Sequence, residues 1–211
     1  SPNNVEVIFK IDTDDDESLE ELDSIINNKQ FPVVVKYVNT ERVFYKGLHI
    51  GYKQAFDIRD NNSKVVFAMA DDFYFIAEDW DKEILKKTKH FDKNDIFILT
   101  DYLGEEGHNP IAPGWSTKLI ELSDGFGPTY STDYWTSLIG NKLLEKDEST
   151  IVYFTEFSKR HTTELDGPNH PRWNTDREEM INFHKTKEYK DYSNNLIKKL
   201  TRYHESTVNG K

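Results

Sequence analysis

Three runs of β-branched and aromatic residues in this chain end abruptly in carboxylates, and that pattern limits the folds open to it. Residues 5–11 run into Asp12, residues 64–70 into Asp71 and Asp72, and residues 95–100 into Asp101. Burying a charge is costly unless it is paired or bound to a metal. Carboxylates in this position therefore sit either on a solvated turn or in a crevice. In open α/β sheets, ligands bind in the crevice beyond the strand C-termini.

Between these runs the apolar spacing changes from the strand period to the helical one. Leu19, Leu22, Ile25 and Ile26 share a helical face, with acids ahead of them where the helix dipole favours negative charge. Residues 32–38 read as a second strand and 48–58 as a helix. Asp79 or a neighbour starts a helix to about Thr88, with Trp80, Ile84 and Leu85 inward. The segment 102–114 is rich in Gly and Pro and too long for an idle connector. Residues 117–122 are ambiguous between strand and helix. A helix is expected from 131–133 to about Leu144, a last strand over 150–155, and an amphipathic helix or helix pair from Asp176 to about Tyr203. Alternating strands and helices predict an α/β fold, a mostly parallel central sheet with helices on both faces. The whole chain, 1–211, reads as one domain. It divides into residues 1–100, residues 101–175 and a helical segment over 176–211.

A formal charge of −11 argues against a nucleic-acid partner, which would demand basic stripes. Aromatic residues make up 13% of the chain, enough to carry a core although hydrophobic residues total only 36%. The absence of cysteine excludes disulfides and thiol chemistry and fits a reducing, cytoplasmic setting. No apolar run reaches membrane-spanning length.

Two carboxylates about 4 Å apart repel by roughly 4 kcal/mol at an effective dielectric near 20, and a divalent cation turns that repulsion into binding. Oxygen donors such as Asp71 and Asp72 favour Mg²⁺ or Mn²⁺. The run Asp12 to Asp16 superficially matches the start of a calcium loop. The required sixth-position glycine is Glu17, however, and the twelfth position is Asp23. No HExxH pair, nucleophile elbow or phosphate loop is present. His161 and His170 lie in a polar segment with Arg160, Arg172 and Trp173. Taken singly each reads as a solvated loop residue; together they suit a flap over an anionic ligand.

The order of these features resembles the GT-A glycosyltransferases, especially the family 2-like nucleotide-sugar enzymes. The strand ending at Asp12 is similar to the family strand whose Asp holds the base or ribose. Ala70-Asp71-Asp72, followed by Phe73-Tyr74-Phe75 and Glu78-Asp79-Trp80-Asp81, resembles the DxD-type metal motif with its aromatics and Trp-bearing helix start. Gly125-Phe126 ahead of Thr132-Asp133-Tyr134-Trp135 is similar to the Gly-Phe segment and the acid-opened helix. Thr132 stands where the family has its first acid. The resemblance covers most of the chain to about residue 176, and the family's first strand and helix have no counterpart before Val5.

The resemblance implies a metal-dependent, inverting transfer from a nucleotide-diphosphate sugar to a hydroxyl acceptor, with residues 1–100 as the nucleotide- and metal-binding half and 101–175 as the acceptor side. Asp133 would be the catalytic base. Asp72 and His170 would hold Mn²⁺ or Mg²⁺, while Asp12, Asp71 and Arg172 would bind the nucleotide sugar. Trp115 and Trp135 are candidate stacking surfaces for sugar rings, although such residues are more often simply core or rim aromatics. Two other classes remain open: a non-catalytic sugar- or nucleotide-binding module on the same scaffold, and a metal-dependent nucleotidyltransferase or phosphoesterase.

Overall fold

The computed structural model describes residues 4–28, 33–41, 44–69, 73–101, 103, 113–127, 132–154, 159–160, 178 and 181–208; for 44–49, 73–74, 132–134, 159–160 and 208 it gives the backbone alone. The chain is a mixed α/β protein. Strand β1 (Glu6–Asp12) leads into helix α1 (Asp16–Asn27), and strand β2 (Val34–Thr40) into helix α2 (Phe44–Asp57). β1 and β2 pair in parallel, Glu6 against Val34 through Asp12 against Thr40. The Asp15 carboxylate caps α1 by accepting from the backbone N–H of Ser18 at 3.1 Å and from its hydroxyl at 2.8 Å.

A second sheet has the order β3 (Val65–Phe67), β6 (Gly114–Ser116), β5 (Ile98–Thr100), β7 (Ile151–Tyr153). β6 runs antiparallel to both β3 and β5, whereas β5 and β7 are parallel. The expected mostly parallel central sheet is therefore corrected to a small parallel pair and a mixed four-stranded sheet. The cause lies in the connections. A helix, α3 (Trp80–Lys87), intervenes between β3 and β5. Helices α4 (Thr117–Ser123) and α5 (Thr132–Leu144) lie between β6 and β7, which run antiparallel. The connection through α3 leaves β5 parallel to β3, whereas the segment from β5 to β6 has no described helix and the chain comes back antiparallel. The short strands β4 (Phe73–Tyr74) and β8 (Lys159–Arg160) form a separate antiparallel ribbon.

Side chains alternate across the four-stranded sheet as the two-residue period requires. One row, Val66–Trp115–Ile98–Ile151, lies on the face that meets α4, α5 and the C-terminal helix α6 (Lys187–Val208). The next row, Phe67–Gly114–Leu99–Val152, presents Phe67, Leu99 and Val152 to the other face, beside Trp80 and Ile84 of α3. Gly114 is required there: a Cβ would lie 2.5 Å from the Phe67 ring. Ser116 closes β6 and starts α4, its Oγ accepting from the N–H of Leu119 and of Phe97, each at 3.2 Å. Helix α6 buries Tyr189, Leu196 and Leu200 in the larger core. It is tied down by Tyr192 Oη donating to the Ser123 carbonyl at 2.9 Å and Tyr203 Oη to the Asn94 carbonyl at 2.8 Å.

Candidate functional site

Strands β3 and β5 both oppose β6, and β7 parallels β5, so all three leave the sheet at one edge. Asp101, half-buried, follows the last residue of β5 at that edge. The exits of β5 and β7 are joined by the Phe154 N–H donating to the Thr100 carbonyl at 2.9 Å. The chain re-enters at the same edge through Pro113, since Gly114 pairs with Phe67 and Leu99. β4 follows the exit of β3, β8 follows the exit of β7, and the two pair with Phe73 opposite Arg160. The ribbon thus connects two of the three exits.

Asp71, Asp72, His161, His170 and Arg172 lie outside the described residues. The backbone places Asp133 in the first turn of α5, where the dipole suits an acid. α5 hands over through a 3-10 turn (Glu148–Thr150) to the start of β7, which puts the Asp133 turn at the helix's opposite end. Among the described residues no group of three His, Asp or Glu side chains is arranged to hold a metal ion. Asp101 by itself cannot hold one, and the expected oxygen-donor set would need Asp72 and its neighbours to complete it.

Trp115 and Trp135 are both fully buried. Trp115 Nε1 donates to Thr136 Oγ1 at 2.8 Å, anchoring α5 to β6. The Trp135 ring sits against Tyr189 and Tyr192, with centroids 5.5 Å and 5.7 Å away. Gly127 has φ 105° and approaches so closely that a Cβ would lie 2.5 Å from Trp135 Cδ1. Phe126 packs on Trp115 and, edge-on, on Tyr52 of α2. The Gly-Phe-Gly segment and both tryptophans are therefore core, and neither ring offers a face to a sugar.

Asp12 ends β1 in the two-stranded sheet and is ion-paired with Lys10, which the sequence reading overlooked. The signal was present: residues two apart in a strand share a face. On the same face the Thr40 hydroxyl donates to Gln54 Oε1 at 2.6 Å, and Lys36 pairs with Glu6. A cleft of about 250 Å³ opens between the end of α4 and α6, lined by Ser123, Asp124, Tyr192, Asn195 and Lys199 among others. None of the predicted site residues lines it. No protein-family model, curated protein or solved structure matches the chain.

Proposed function

We propose that the protein is a metal-dependent glycosyltransferase of the GT-A kind, moving a sugar from a nucleotide-diphosphate donor to a hydroxyl acceptor with inversion. The observation that supports this reading most is the shared edge at which β3, β5 and β7 end. Asp101 stands on that edge, and Asp71 and Asp72 follow β3 in sequence. In this reading Asp12, Asp71 and Arg172 hold the nucleotide sugar, and Asp133 takes the proton of the acceptor hydroxyl. Asp72 and His170 hold Mn²⁺ or Mg²⁺, which supplies neutralisation of the negative charge on the departing diphosphate.

Calorimetry with UDP and GDP, each with and without Mn²⁺, tests the reading. Wild type should bind one of them in a metal-dependent way, and Asp72→Ala should lose that dependence. Asp133→Asn should retain binding and lose transfer to acceptor. Binding that ignores Mn²⁺ in wild type and Asp72→Ala alike would end the metal assignment.

A second reading, a sugar- or nucleotide-binding module without turnover, is favoured by Thr132 standing where the family has its first acid. Donor that is bound but never consumed, across a panel of hydroxyl acceptors, would select this reading over the first.

A further inference from the structure

We propose that Lys10 is the positioning residue of Asp12 and that Gly51 of α2 is the residue that admits it. The nature of the ligand rests on the nucleotide-sugar reading above; the geometry does not. Lys10 and Asp12 project from the same face of β1 and form an ion pair with side chains only 14% and 17% exposed. The Lys10 stem lies flat across α2 at Gly51, where a Cβ would come within 2.5 Å of Cγ, 3.1 Å of Cε and 3.3 Å of Cδ. A side chain at position 51 would therefore force the Lys10 stem or α2 itself to shift.

Neither choice favours the fold by itself. Sheet faces covered by helices are ordinarily apolar, and replacing a buried ion pair by packed apolar side chains is often neutral or stabilising. Glycine is a poor residue for a helix interior. Here both occur together, at the C-terminal end of a parallel strand, the part of an α/β sheet that meets ligands. The other charged groups on this face, Glu6 and Lys36, are paired with each other further down the strands. The ion pair with Lys10 thus holds the Asp12 carboxylate in place at the strand end. An ionised carboxylate accepts hydrogen bonds only, the chemistry that suits the vicinal hydroxyls of a ribose or sugar ring.

Two measurements on wild type, Lys10→Met and Gly51→Ala test this. The first follows the Asp12 carboxyl carbon by NMR as pH is varied; the second measures UDP and GDP affinity with Mn²⁺ by calorimetry. Both variants should titrate Asp12 at higher pH than wild type and weaken nucleotide binding about tenfold or more, with circular dichroism unchanged. An Asp12 titration that is the same in wild type and both variants overturns the proposal, whatever the nucleotides do. Binding that survives both substitutions at full strength overturns it too, and leaves the nucleotide reading standing. A shifted Asp12 titration in a protein whose wild type binds neither nucleotide supports the positioning role and sinks the nucleotide reading instead.

Discussion

The four-stranded sheet and the β1/β2 pair make opposite use of their faces. In the four-stranded sheet, every residue of β5 and β6 is buried, and the central row on each face is apolar or, at Gly114, filled by a neighbouring ring. In the β1/β2 pair one face carries two ion pairs beneath α2. Phe9 and Tyr37, directly opposite one another in register, remain 40% and 38% exposed. α2 links the two regions, Phe56 and Tyr52 reaching into the larger core. Dense aromatic packing thus supports the four-stranded sheet, and the parallel pair is freer to carry polar groups at its C-terminal end.

The sharpest way to break this contrast is Trp135→Ala. It should lower unfolding stability by about 3–5 kcal/mol in urea melts, and a loss below 1 kcal/mol would mean the ring is not core. Gly127→Ala should cost about 1–3 kcal/mol, from its left-handed φ and the approach of Trp135. Tyr192→Phe should cost about 1 kcal/mol at neutral pH through the lost bond to the Ser123 carbonyl. Burial, reinforced by the negative charge of Asp124, pushes the Tyr192 phenol up to about 12. Its proton is held more tightly in the folded chain than in the unfolded one. The stability this contributes is intact below pH 10 or so and lost as pH rises toward 12. A stability profile above pH 10 should therefore fall less steeply in Tyr192→Phe than in wild type. Phe9→Ala, on the half-open face, should change stability by less than about 1 kcal/mol; a loss comparable to Trp135→Ala would erase the contrast.

Much of this architecture was legible in the sequence where a single physical signal dominated. Helix α5 runs from Thr132 to Leu144, as the turn residues and the apolar spacing indicate. β1, β2, β5 and β7 fall within two or three residues of the β-rich runs that predict them. β6 was not legible. Gly114-Trp115-Ser116 is too short to show a period, its glycine answers to the Phe67 ring, and its serine doubles as the cap of α4. Of these reasons, the contact with Phe67 is the one that lies far away in sequence. Missing β6 is also what made the sheet look parallel. At the candidate site, the strand-end position of Asp12 followed from its own run. The burial of Trp115 and Trp135 depended in part on distant partners, Thr136 for the first and Tyr192 for the second. Asp79 shows the limit of local rules: it precedes α3 as a cap should, yet makes no side-chain cap bond and pairs with Lys82 instead.

The position of β6 also bears on how the chain is made. Synthesis proceeds from the N-terminus, so β3 and β5 emerge before the strand that lies between them in the sheet. Until Ser116 has left the ribosome, Val66 and Ile98 have no Trp115 to meet, and each strand exposes a backbone edge to other chains. A nascent chain stalled near Asp101 would carry both halves of a slot and nothing to fill it. Chaperone dependence and aggregation should therefore peak in chains ending between β5 and β6, and fall once residues 114–116 are available to join the two halves.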